Sequence, residues 1–119
     1  MSQNFLSGDF LIFQLESGYS LLRLLAVEET ANDMIWHLAA YNEFFPDVDS
    51  ADMALENADT LTISYPHIAL TNRAFESTQV AKLKNEQLNE EELRAYENWK
   101  SDAARTVSDR SVRLMLGLR

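Results

Sequence analysis

The residues best suited to chemistry in this 119-residue chain are few and scattered. Its two histidines, His37 and His67, lie far apart, and neither has a partner at the spacing that metal sites use. A structural or surface role is the expected one for both. There is no cysteine, which removes disulfides, thiolate zinc sites and cysteine nucleophiles together. Asp47, Asp49 and Asp52, with Ser50 between them, resemble the opening of a calcium loop. The required glycine is missing, however, and the twelfth position counted from Asp47 is Ala58 rather than a glutamate. Helix capping and solubility account for these acids without a metal. Acid–base catalysis needs two carboxylates whose surroundings drive their pKa values apart, and no pair stands out. No nucleophile elbow, P-loop or dinucleotide fingerprint occurs, and three glycines (Gly8, Gly18, Gly117) are too few for the usual phosphate cradle. The expectation is a protein that is not an enzyme, with no catalytic residue, no metal and no cofactor.

Charge carries more information. The net charge is −9, and it is unevenly spread. Residues 1–60 hold eleven acids and one base, Arg23, for a net −10; residues 61–119 hold eight acids and nine bases, for a net +1. An acidic first half repels nucleic acid and attracts a basic protein. The plainer account is that the acids maintain solubility or are neutralised by the second half within the fold. The arginines near the end, Arg105, Arg110, Arg113 and Arg119, lack the interleaved aromatic residues of a nucleic-acid stacking surface. No nucleic-acid partner is expected.

The elements that must position these groups begin with a β-hairpin over residues 8–27. Its first strand runs over 9–15, with Leu11, Phe13 and Leu15 on one face. Its second runs over 19–28, and neither face is cleanly polar. A two-residue Ser17-Gly18 loop pairs Phe13 with Leu22 and Leu11 with Leu24; a three-residue loop with a bulge shifts the register by one. So much apolar surface requires a strongly bent sheet, a helix on the second face, or a subunit contact. A polar turn at 28–33 leads to a third strand over 34–45, ended by Pro46. A turn and short helix follow, capped by Asp49 or Ser50 with Asp52 in the first turn. Residues 60–65 read as a short strand that Pro66 confines to an edge or a bend, and 68–70 as a last short strand. Residues 71–84 have weak periodicity and are expected to wrap the outside.

The clearest helix spans 90–105. Asn89 caps it, Glu92 completes a capping box, and Leu88 and Leu93 have the spacing of a hydrophobic staple. Leu93, Tyr96, Trp99 and Ala103 form a stripe that should pack on the sheet and cover the hairpin. The tail at 108–118 reads as a strand through Val112, Leu114, Leu116 and Leu118. It reads equally as a two-turn helix capped by Ser108 or Asp109 and stopped by Gly117. The aromatics Phe10, Tyr19, Trp36, Tyr41, Phe44 and Phe45 fit a core, with residues 44–46 the expected exposed patch.

The opening Gly8-Asp9-Phe10, its apolar strand, and the Gly18-Tyr19 turn into a second apolar strand resemble the start of small SH3-like barrels. In particular they resemble the bacterial immunity-protein family numbered twenty-six and its relatives. That resemblance covers residues 8–27 and implies a non-catalytic protein that neutralises a toxin. It carries no functional residues over to this chain.

Together these readings give one α+β domain over 1–119: a bent antiparallel sheet or small SH3-like barrel over 8–75, and a helical part over 86–119. The opening MSQNFLSGDF has no basic segment followed by an apolar one, and no apolar run is long enough to span a bilayer, so a cytoplasmic protein without a membrane partner is expected. The leading function is a non-enzymatic interaction protein that offers Glu43, Phe45, Asp47, Asp49 and Asp52 to a basic protein, as an inhibitor of the immunity type. The first alternative is a small-ligand binder or enzyme with a pocket between sheet and helix near Trp36 or Trp99. The second is a self-associating module, a homo-oligomer joined through the second hairpin face.

Overall fold

A computed structural model describes residues 5–116. Five strands form one antiparallel sheet: β1 (Asp9–Leu15), β2 (Gly18–Glu29), β3 (Met34–Phe45), β4 (Ile63–Thr71) and β5 (Ala81–Asn85), in the order β4-β3-β2-β1-β5. The helices are α1 (Val48–Ala54), which continues as a 3-10 helix (Leu55–Thr60), α2 (Asn72–Thr78), α3 (Glu90–Ser101) and α4 (Val112–Met115). The fold is therefore α+β. The sheet is open, with β4 and β5 as its edges, so it is not the closed SH3-like barrel.

The apolar residues on both hairpin faces are buried by two separate cores. On the first face Leu11, Phe13, Leu22, Leu24 and Leu38 pack with Ala74 and Phe75 of α2 and Val112 of α4. Trp36 stacks on Phe75 at 3.9 Å between ring centroids and donates its indole N–H to Asn72 Oδ1. On the second face Phe10, Ile12, Leu21, Tyr41 and Phe45 pack with Ala51 of α1 and Leu55 of the 3-10 helix. The hairpin is thus covered on both sides as its composition requires, but α1 and α2 cover it, and α3 contributes no fully buried residue. The second hairpin face is occupied by α1 and the 3-10 helix.

Several local expectations change. The hairpin turn is Glu16-Ser17, so Leu11 pairs with Leu22 and Phe13 with Ser20. Gly18 opens β2 instead of sitting in the turn, because a Cβ there would collide with the Phe45 carbonyl oxygen on β3. Asp47, not Asp49 or Ser50, caps α1, accepting from the Ser50 N–H at 2.7 Å, and Asp49 is the acid in the first turn. Residues 71–84 are not an outer wrap. Their buried Ala74, Phe75 and Thr78 make α2, and the remainder pairs with β1 as β5. The tail is a helix, capped by Ser111, and the proposed stop at Gly117 lies outside the described residues, as does Arg119.

Pro66 sits inside β4 without ending it, since β4 is an edge strand and the ladder slips there. Leu38 pairs with Ile68 but Ala40 with Tyr65, leaving an extra residue at Pro66-His67. That bulge reverses the alternation. Tyr65 turns to the first face, where its hydroxyl donates to the Met115 carbonyl, and His67 turns to the second face beside His37.

Arg23, the lone base of the first half, is 3% exposed on the second face. Its guanidinium donates to the Gly8 and Gln87 carbonyls and to both carboxylate oxygens of Glu92, at 2.9 and 3.3 Å, and lies 4.1 Å over the Phe10 ring. Glu92 also receives the Asn89 N–H, so the capping box of α3 and the anchor of Arg23 share one side chain. Gly8 permits this junction: its φ is +94°, and a Cβ would lie 2.5 Å from the Glu86 carbonyl oxygen.

Removing the carboxylate strands the buried guanidinium of Arg23, so Glu92→Ala should cost about 3–5 kcal/mol. Arg23→Met with Glu92→Leu, which removes both charges, should cost less. Urea denaturation of the parent and the two variants checks this; a double variant less stable than Glu92→Ala would contradict it.

Candidate functional site

Three features gather polar side chains. The first is the acidic segment that follows Pro46. Asp47, Asp49 and Asp52 of α1 and its cap, with Glu56 and Asp59 of the 3-10 helix, are all exposed. None of the five forms an ion pair with a described residue. The helix presents them because Ala51 and Leu55, four apart, face the core and leave the other positions to solvent. Hydrogen bonding from Ser50 holds the Asp47 carboxyl below its ordinary range. Among them are exposed apolar side chains: Val48 at 39% and Met53 at 67%.

Of the sequence candidates, Asp47, Asp49 and Asp52 come together here. Glu43 lies apart on β3, bound to the Thr62 N–H and hydroxyl. Slight desolvation pushes its carboxyl up, but the Thr62 hydrogen bonds outweigh this and leave it below the ordinary carboxylate value. Phe45 is corrected: it is buried against Ala51 and Leu55, and Phe44, which alternation turns the other way, is the exposed ring. Among the described residues no arginine of the second half pairs with the segment. Arg73 pairs with Asp109, Arg113 donates to the Gln14 carbonyl, and Arg105 lies 5.7 Å over Trp99. Elsewhere in the first half, buried Asp9 meets Lys82 at 3.4 Å, and Glu28 meets His37.

The second feature is the histidine pair. His37 is fully buried; its Nδ1 lies 2.9 Å from His67 Nε2 and its Nε2 lies 2.5 Å from Glu28 Oε1. A carboxylate only accepts, so His37 Nε2 carries a proton, His37 Nδ1 accepts, and His67 Nε2 donates. Tyr96 and Trp99 of α3 close over the pair, their ring centroids 4.4 and 4.7 Å from His37. Burial pushes His37 below its ordinary 6.5, with Lys100 adding to it against the upward pull of Glu28. Burial, then the neighbouring His37, pushes His67 down to about 4. Such a base is poorly matched to catalysis near neutral pH. The cluster fastens α3 to the sheet, and the pairing of β3 with β4 brings its two histidines together.

The third feature is a cleft of about 390 Å³ on the second face, between the 3-10 helix and the start of α3. Ala39 and Tyr41 of β3 form its floor. Leu61, Ile63 and Pro66 line one wall; Asn89, Glu91 and Glu92 line the other; Asp59 adds a further carboxylate. A pocket between sheet and helix is therefore present, but neither tryptophan lines it. Asp59 and Glu91 are distant in the chain and belong to no motif, and Tyr41 is one of the aromatics that strand spacing assigns to the core. Among the described residues no three His, Cys, Asp or Glu side chains are placed to hold a metal ion, and no helix is long and apolar enough to cross a membrane.

The histidine pair sets a pH dependence. The folded value of His67 lies below its unfolded value, so the unfolded chain takes up the proton first as pH falls. The stability contributed by the neutral pair is complete above about 6.5 and lost as pH falls towards about 4. His67→Asn, which keeps an N–H donor, should flatten this decline without abolishing it, because His37 still titrates. Denaturation midpoints between pH 7 and pH 4 check this; parallel declines in both proteins would refute it.

No protein-family model, curated protein or solved structure matches this chain, so its site is read from geometry and charge alone.

Proposed function

We propose that this chain is a non-enzymatic interaction protein whose acidic segment, α1 with the 3-10 helix, receives a basic protein. The observation that carries this reading is the set of five exposed carboxylates at residues 47–59, none ion-paired with a described residue, in a fold that has used Arg23 internally. Carboxylates left unneutralised on one short segment create a local field that accelerates encounter with a positive surface. Val48 and Met53 add apolar area that such a partner would bury. The resemblance of residues 8–27 to the immunity proteins supports an inhibitor that blocks its partner by occupying it. Acidity at this surface opposes a nucleic-acid partner.

A second reading, a small-ligand binder, is favoured by the cleft beneath Glu91, whose volume lies within the usual range of ligand pockets.

Affinity capture from extracts of the source cell, at low and high salt, tests the first reading. Basic proteins retained at low salt should be released at high salt, as screening of exposed charges requires. They should bind about tenfold more weakly to Asp49→Asn, Asp52→Asn, Glu56→Gln. Equal retention by this variant and the parent chain would overturn the proposal.

A further inference from the structure

The cleft has a chemical preference of its own. Its floor holds Tyr41, which is only 7% exposed. The Tyr41 hydroxyl makes no hydrogen bond to any described residue, yet no buried side-chain polar atom lacks a partner, so this oxygen opens into the cleft that the side chain lines. Burial pushes the phenol up to about 12, and it keeps its proton at neutral pH. Facing the cleft, the hydroxyl is available to accept from or donate to a molecule bound there.

The cleft lining offers acceptors and no lysine or arginine, and the nearby buried Arg23 is already paired with Glu92. Asp59 and Glu91 are exposed and form no ion pair with a described residue, while no lysine or arginine lines the cleft. An anion is disfavoured even though α3 begins here. Asn89 and Glu92 already satisfy the first turn reciprocally, and Glu90, Glu91 and Glu92 place three carboxylates against the helix dipole. The wall of Leu61, Ile63 and Pro66 is apolar and suits an alkyl stem. Acceptors on three separate elements call for a donor that spreads several N–H groups in a plane, which a guanidinium does and an ammonium does not.

We propose that the cleft between the 3-10 helix and α3 binds an arginine side chain, with Tyr41 Oη, Asp59 and Glu91 taking the guanidinium and Leu61, Ile63 and Pro66 covering its stem. This site rests on the interaction reading, for which it names the residue that a basic partner inserts. Asp59 belongs both to the acidic segment and to the cleft, so one surface steers the partner and seats its arginine.

The test is a titration of the full chain, isotope-labelled for amide NMR, with N-acetyl-argininamide. N-acetyl-lysinamide and N-acetyl-leucinamide serve as comparisons. Saturable shifts confined to β3 near Ala39 and Tyr41, to residues 59–63 and to the first turn of α3 are expected for the arginine probe. Its affinity should fall about tenfold in Asp59→Asn, Glu91→Gln, where both substituted positions are exposed and folding is retained, and less in Tyr41→Phe. Glu76→Gln, exposed on α2 away from the cleft, should leave it unchanged. Equal binding of the lysine or leucine probe, shifts scattered over the whole acidic surface, or unchanged affinity in Asp59→Asn, Glu91→Gln would each overturn the site. Captured basic proteins that need Asp49 and Asp52 but bind normally to the Tyr41, Asp59 and Glu91 variants would overturn the cleft and leave the interaction reading standing. Saturable arginine binding in the cleft without any captured basic protein would support the cleft and remove the interaction reading.

Discussion

The buried guanidinium of Arg23 is the constraint on which the second face of the sheet depends. A charge at 3% exposure has lost its water and must recover every contact from the protein. It does so by drawing together three stretches far apart in sequence: the Gly8 carbonyl before β1, the Gln87 carbonyl in the linker, and Glu92 in the first turn of α3. The position of α3 follows from this need rather than from apolar burial. Its far end is fastened in the same manner, by Tyr96 and Trp99 over the hydrogen-bonded histidines. A helix held at two polar anchors is fixed in position, whereas an apolar stripe alone would let it slide. The space between the start of α3 and the 3-10 helix stays open as a result, with Tyr41 at its base.

The two halves of the chain therefore complement each other in an unexpected direction. Arg23, from the acidic half, is neutralised by Glu92 of the other half, and Asp9 is the first-half acid that meets a lysine. The acids of residues 47–59 are left facing solvent. Their mutual repulsion is offset by the burial of Ala51 and Leu55 beneath them, which secures the segment to the sheet.

Much of the scaffold was legible in the residue pattern. Strands β1 and β3 have the boundaries that alternation and Pro46 imply, and the Asn89–Glu92 box marks the start of α3 because a reciprocal cap is a local interaction. What depended on distant partners was not legible. The Glu16-Ser17 turn follows from the approach of the Phe45 carbonyl to Gly18, an event on another strand. Helix α2 was hidden because Ala74, Phe75 and Thr78 make a short buried face with little periodicity. Strand β5 is largely exposed and exists by pairing with β1. His37 and His67 meet because Leu38 pairs with Ile68, a register between strands far apart in the chain that alternation within either strand does not fix. Of the surface residues singled out, Asp47, Asp49 and Asp52 cluster as charge patterning implied, while Phe45 and the cleft residues required the third dimension.

The same Pro66 bears on how this open sheet avoids uncontrolled growth. An unclosed sheet exposes two rows of backbone donors and acceptors that invite strands from other molecules. On β4 the proline removes a donor mid-strand and the bulge breaks the regular spacing, while the stretch around Ser108 bonds to Ala69 and Thr71 and caps the far end. On β5 the edge is only five residues long and carries Lys82 and Lys84. Fibrillar strand addition is thereby discouraged at both margins.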